Sequence, residues 1–339
     1  MRSFCEDIRT VDMHTGGEPV RIVVSGYPDI PGATILAKRR YAHDHLDHLR
    51  RLLMFEPRGH YDMYGVIPVT PSLAEADLAV LFMHNEGYST MCGHAIIALG
   101  RYAIDYGLVD AVAPVTRVNI ECPCGLVKVA VEVVDRKPGR VSFSSVPAFT
   151  FALDYPVEIA GFGRIDVDIA YGGAFYTLLP AARCQLDIHA SRTRDLVDAA
   201  SAVAAAVSHQ ISLHHPDDND LAFLYGAILT DGGNGADLCP SANICVFADA
   251  QVDRSPTGSG VTARLAVQHR RGTAGLGEIR RFASVTGAVF DAMVSGTTRC
   301  GAFPAVIVEV SGTAYYSGES RFVLEADDII GRGFLLDRR

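Results

Sequence analysis

What this 339-residue sequence lacks narrows its role before any motif is read. It has no long run of lysine or arginine and a formal net charge of −9, so neither nucleic acid nor an anionic membrane is expected as its main partner. No apolar stretch reaches about 20 uninterrupted residues, so no helical membrane span is expected. Charges at Arg2, Glu6, Asp7, Arg9 and Asp12 break up the N-terminus and leave no apolar stretch for a signal peptide, which points to the cytoplasm. Eight cysteines are scattered through a chain too large to need stapling, and in a reducing compartment they should be free thiols. No G-x-G-x-x-G opens a helix after a strand, "DGGNGAD" and "SPTGSG" lack the Gly-Lys-Ser/Thr of a P-loop, and no G-x-S-x-G elbow is present. A small molecule becomes the default ligand, with no support for a nucleotide.

What is present is 49% hydrophobic with 32 glycines, enough for a large core and more naturally two domains than one. Short β-branched runs such as "VRIVVSGYPDIPG", "ADLAVLFMH", "TRVNIECPCGLVKVAVEVV" and "RVSFSSV" alternate with Gly/Pro turns. Helices are expected near 43–55, 93–106 and 260–270, with "TRDLVDAASAVAAAVSH" as a fourth. The pattern is α+β and rich in strands. Two features recur half a chain apart: the paired glycines of "HTGGEP" return in "AYGGAF", and the turn entering a helix in "MCGHAIIALGRY" returns in "SPTGSGVTARLAVQ". Two similar halves would explain both, each made of strands around one buried helix, with the helix N-termini facing across a cleft; chance similarity of glycine-rich turns is the other reading. The boundary falls best in the polar region near 147–160, giving a first half over 1–150, a second over 151–320, and a segment over 321–339 as a candidate to pack back on the first.

A helix start favours anions, because its first N–H groups lack partners and its dipole is positive there. Two such ends pointing inward make a cradle for a carboxylate, and Gly93 and Gly258 would let it approach the backbone. The same field would draw Cys92 towards thiolate. Against this, free cysteines are commonly buried packing residues, His94 could be a satisfied core histidine, and Asp253 could be a turn former. "HDHLDH" (His43, His45, His48) lacks the spacing of a zinc protease and reads better as a solvated helix face, and "CPCG" reads as a tight turn with two packed thiols; no metal site is expected.

The motifs "HTGGEP" at 14–19, "EPRGHYDMYG" at 56–65, "MCGHA" at 91–95, "YGGAFY" at 171–176, "DRSPTGSG" at 253–260 and "GRGF" at 331–334 together resemble the proline racemase superfamily. The resemblance implies a diaminopimelate epimerase-like fold: two pseudo-symmetric domains, each a strand-rich half-barrel around a central helix, with the active site in the cleft between them. Racemases and epimerases of that family use two cysteines, one on each face of the α-carbon. Here the first is Cys92, but the second position is Thr257, a pairing that resembles the trans-3-hydroxy-L-proline dehydratases. The implied chemistry needs no cofactor: Cys92 takes the α-proton and the 3-hydroxyl leaves as water, with Thr257 a candidate helper. Gly93, His94, Gly258 and Ser259 would hold the carboxylate through backbone N–H groups, His94 and Asp253 the ring nitrogen, and Tyr64 and Phe247 would form pocket walls. The remaining alternatives are a proline or 4-hydroxyproline racemase or epimerase, which Thr257 disfavours, a non-catalytic imino-acid binder, and a site elsewhere in the chain. Homodimers are common among such folds, although no heptad seam or interface stripe is visible.

Overall fold

A computed structural model of the chain describes residues 4–236 and 239–336. The side chain of Cys5 and the end of the C-terminal segment, 337–339, lie outside the described residues, as do the readings that fell on them. The first part of the chain forms β1 (Phe4–Thr15), β2 (Glu18–Ser25), β3 (Gly65–Val69), β4 (Leu78–Met83), β5 (Val115–Cys122), β6 (Gly125–Val134) and β7 (Lys137–Ser144). Between them lie α1 (Ile35–His45), α2 (Asp47–Met54) and α3 (Gly93–Asp105). The second part forms β8 (Ala148–Ile159), β9 (Gly163–Tyr171), β10 (Phe175–Pro180), β11 (Leu224–Thr230), β12 (Ser241–Phe247), β13 (Gln251–Asp253), β14 (Ile279–Ala283), β15 (Val289–Cys300), β16 (Phe303–Gly312) and β17 (Ala314–Glu325), with α4 (Thr193–Gln210) and α5 (Gly258–Arg270).

Local sequence explains these elements. In β6 the alternate residues Val127, Val129, Val131 and Val133 are buried, the period of a strand with one face on the core. In α3 every residue from Gly93 to Gly100 is buried, as expected of an apolar helix enclosed on all sides. In α4 only the stripe Leu196, Ala199, Ala200, Val203 and Val207 is buried, so this helix covers an outer face. The first expected helix differs from its sequence reading of 43–55. It begins earlier, where the Thr34 side chain caps α1 by accepting the Ala37 N–H at 3.1 Å. It is then split at Leu46, whose φ of −121° is not helical.

The strands form two ladders with the same sequence of pairings. The first runs β17–β1–β2–β3–β4–β5–β6–β7 and the second β8–β9–β10–β11–β12–β14–β15–β16. Along each, the joints are antiparallel, antiparallel, parallel, antiparallel, parallel, antiparallel, antiparallel. Parallel joints need crossovers. In each ladder the first is crossed by outer helices, α1–α2 or α4, and the second by an inner helix, α3 or α5. The fold is therefore α+β with two pseudo-symmetric halves, each wrapped around a central helix. The halves share strands: β16 pairs with β7 near Gly312 and with β8 near Ala305, and β17 continues from it to pair with β1.

The repeated glycine pairs occupy equivalent hairpins, β1–β2 and β9–β10, and each packs on the helix entry of the other ladder. A Cβ on Gly16 would stand 3.4 Å from the Ser255 Cα and 3.6 Å from Pro256, just before α5. A Cβ on Gly173 would stand 2.7 Å from Met91, just before α3, where the Thr90 hydroxyl also donates to the Gly173 carbonyl at 2.8 Å. The inner helices then meet end to end. A Cβ on Gly93 would lie 2.5 Å from the Gly258 Cα, and one on Gly258 would lie 2.8 Å from the Gly93 Cα, closer than real side chains come. Gly258→Ala is expected to destabilise the protein by about 1–3 kcal/mol, the usual range for overpacking. The measurement is the urea midpoint at constant slope, and an unchanged midpoint would show that these helix ends do not touch.

Candidate active site

Each inner helix begins with one of the two paired residues. Cys92 caps α3 from an extended conformation, and its Sγ accepts the Ala95 N–H at 3.4 Å. Thr257 caps α5 with φ 65° and ψ 88°, a left-handed conformation that a β-branched residue adopts at a strain of about 1–3 kcal/mol. The loop before it is tied down on several sides. Ser255 N donates to the Asp253 carboxylate at 2.7 Å, Thr257 N donates to Ser255 Oγ at 3.0 Å, and Arg254 N donates to Glu18 at 2.7 Å. An Arg254–Asp62 ion pair at 2.8 Å adds a second tie to the first ladder.

All nine residues singled out from the sequence line one cavity: Tyr64, Cys92, Gly93, His94, Phe247, Asp253, Thr257, Gly258 and Ser259. Met91, Tyr176 and Tyr225 complete it and were missed. Tyr176 stands in the "YGGAFY" motif and shares a 2.7 Å hydrogen bond with Ser259, so that motif was the available signal; Tyr225, stacked on Phe247 at 5.0 Å, had none. The cavity has a volume of about 10 Å³, room for roughly a single water. Its lining side chains are buried, so the site is nearly filled by the protein itself. A far larger cleft of about 780 Å³ adjoins Tyr225 and Phe247 on the α4 side but contains neither Cys92 nor Thr257.

The two caps differ in their partners. Cys92 Sγ lies 3.1 Å from His94 Nδ1, and the same nitrogen lies 4.0 Å from the Asp253 carboxylate. The Thr257 hydroxyl is buried, and its one polar neighbour is the Cys245 thiol, with which it interacts weakly. The first N–H groups of both helices, at Gly93, His94, Gly258 and Ser259, have no acceptor within their helices and converge where Gly93 meets Gly258.

The expectation that Cys92 is drawn towards thiolate is corrected by its burial. Burial pushes its thiol well above the ordinary 9.0, the Asp253 and Glu18 carboxylates push in the same direction, and the Ala95 N–H opposes them too weakly. Burial also lowers His94 against the pull of Asp253 and raises Glu18 well above the usual carboxylate range. The resting site therefore holds a neutral thiol beside a neutral imidazole. The other motifs behave structurally. His43, His45 and His48 lie exposed on α1 and α2, and "CPCG" is the β5–β6 turn with Cys122 buried.

Comparison with known proteins places the whole chain among relatives. The family description "Proline racemase" matches residues 10–335. A human protein named trans-3-hydroxy-L-proline dehydratase is 58% identical, over 97% of this chain and 94% of its own. A Xenopus tropicalis protein named trans-L-3-hydroxyproline dehydratase is 57% identical, over 97% and 95%. The solved structure of a hydroxyproline epimerase from Agrobacterium vitis, with bound trans-4-hydroxy-L-proline, superposes with a TM-score of 0.92 at 27% identity, over 99% of this chain and 97% of its own.

A buried neutral thiol has a direct chemical signature. Cys92 should react with iodoacetamide more slowly at pH 7 than the exposed Cys239, and its rate should still be rising at pH 9. Mass spectrometry of the modified peptides measures both, and a Cys92 rate that levels off near neutral pH would show a thiolate at rest.

Proposed function

We infer, because this chain belongs to the proline racemase family and opposes a cysteine with a threonine at its paired helix caps, that it dehydrates trans-3-hydroxy-L-proline. It is a hydro-lyase: the substrate loses water to give Δ2-pyrroline-2-carboxylate, an enamine that tautomerises to the Δ1-imine. The Cys92/Thr257 pairing carries this reading, with support from the relatives that share the activity by name. Inversion at the α-carbon needs a proton acceptor on one face and a donor on the other. An alcohol's pKa lies far above a thiol's, so Thr257 does not serve as the second one.

The steps follow from the groups present. The substrate carboxylate sits on the N–H groups of Gly93, His94, Gly258 and Ser259, where two helix ends stabilise the charge that develops as the α-proton leaves. The ring nitrogen sits by His94 and Asp253, and Tyr64 and Phe247 wall the ring. The cationic nitrogen offsets the negative charge of Asp253, one of the influences holding the Cys92 proton in place. His94 Nδ1, at 3.1 Å, is placed to take that proton. Substrate thus helps to generate the thiolate that then removes its α-proton.

Stereochemistry divides the remaining labour. In the trans isomer the 3-hydroxyl lies across the ring from the carboxylate, hence on the same face as the α-hydrogen. The face presented to Cys92 therefore carries both the proton and the leaving group, and the thiol formed by abstraction, or the His94 imidazolium, can return a proton to the departing oxygen. Thr257 faces the opposite side, where it supports the carboxylate turn and delivers no proton, so that the carbanion eliminates instead of inverting. A cytoplasmic location is part of the same proposal, supported by the unpaired state of all seven described cysteines.

Three variants test this division. Cys92→Ser should lower dehydration by about 100- to 10,000-fold, the usual worth of a general base. Thr257→Val removes a weakly partnered hydroxyl at constant shape, so it should change thermal stability little and retain dehydration within about tenfold. Thr257→Cys should add epimerisation. A stable Thr257→Val protein without activity would show instead that the hydroxyl takes part in the elimination.

A further inference from the structure

We propose that a second cavity, away from Cys92, binds one divalent cation of the zinc type through His215, Asp217 and Cys300. The cavity measures about 480 Å³ and runs between the β5–β6 turn, the β7–β8 junction and the loop that follows α4. Cys300 closes β15, while His215 and Asp217 come from that loop. None of the three lines the cavity between Cys92 and Thr257.

The geometry is close to that of a filled site. Cys300 Sγ lies 3.9 Å from His215 Nε2 and 3.9 Å from Asp217 Oδ2, and one donor atom from each residue lies within 4.8 Å of the other two. Tetrahedral zinc, with bonds of about 2.0–2.1 Å to N or O and about 2.3 Å to S, sets its sulfur about 3.6 Å from each of the other ligands, so small shifts would complete the arrangement. Thiolate, imidazole and carboxylate together suit a borderline-soft cation better than calcium or magnesium. His215 and Cys300 are buried and Asp217 is exposed, which gives the ion an entry path.

A second, independent observation points to a ligand here. The Tyr171 hydroxyl lines the same cavity, is buried and has no hydrogen-bond partner, and its ring packs 4.5 Å from that of His215. With three protein ligands in place, the fourth position is left for a water, and all four residues line the one cavity, so such a water is a candidate partner for this hydroxyl. The frame is also set in advance: a Cβ on Gly301 would stand 2.6 Å from Pro216, so the loop and the β15–β16 turn are already in close contact. Cys300 ligates as thiolate and its proton goes to solvent. Ligation through His215 Nε2 moves the ring proton to Nδ1 and gives up the contact with the Asp217 N–H at 3.2 Å.

Cobalt reports on the site directly. The full-length protein, stripped with a chelator and titrated with Co²⁺, should develop a thiolate-to-cobalt charge-transfer band at one ion per chain, and Zn²⁺ should abolish it. Binding should weaken at least about tenfold in Cys300→Ser and His215→Ala, since losing a ligand costs no less than losing an outer-shell partner, and should persist in Cys92→Ser. No band, or a band unchanged in Cys300→Ser, overturns the proposal. If the Cys300 and His215 variants do not fold, Asp217→Asn alters only the exposed ligand. Zn²⁺ should then raise the thermal midpoint of the parent protein and raise that of Asp217→Asn much less, and equal shifts would contradict the assignment.

Discussion

The contact between Gly93 and Gly258 is the constraint on which the rest of the structure depends. Two helix N-termini repel each other electrostatically, and any side chain at either position would hold them apart. Without Cβ atoms they meet, and their unpaired N–H groups converge on one point. The surrounding ladders exist, in effect, to hold that meeting in place: the strands enclose the two inner helices, and β16 and β17 bind the halves together. The repulsion that makes the junction unfavourable makes it receptive to a carboxylate.

Pseudo-symmetry extends from the strands to the helix entries, and the site departs from it only in chemistry. Each glycine-pair hairpin supports the helix entry of the opposite ladder, so neither catalytic turn is shaped by its own half alone. One entry carries a thiol with an imidazole 3.1 Å away; the other carries a buried hydroxyl beside the Cys245 thiol, held in a strained conformation. On the proposed reading, an arrangement suited to two equivalent proton carriers works with one. In the proposed mechanism that asymmetry is the reason for elimination in a family named for racemisation.

Much of this was legible in the sequence, for identifiable reasons. Glycine pairs and helix-entry turns stand out because positive φ and close approach demand particular residues, so Gly16, Gly17, Gly93, Gly173 and Gly258 carried both the repeat and the site. Cys92, His94, Asp253 and Thr257 were adjacent to those turns. Tyr225 and Met91 reach the cavity only through tertiary packing, which has no local signature. The start of α1 was hidden behind a proline- and glycine-rich stretch that reads as loop until Thr34 is seen capping it. The charge state of Cys92 was read with the wrong sign, because the helix-end field is a local property while desolvation depends on how tightly the opposite half closes.

The central claim is that a lone thiol, facing a hydroxyl that cannot donate, converts a two-sided site into one for elimination. The most direct measurement is to incubate the purified protein in D2O with trans-3-hydroxy-L-proline, trans-4-hydroxy-L-proline and L-proline in separate tubes and follow the products by NMR. Pyrroline-2-carboxylate from the 3-hydroxy substrate, with no epimer of the 4-hydroxy compound and no D-proline, is the result this account expects. Epimerised 4-hydroxyproline or D-proline would contradict it, because a proton would then have reached the face that Thr257 occupies.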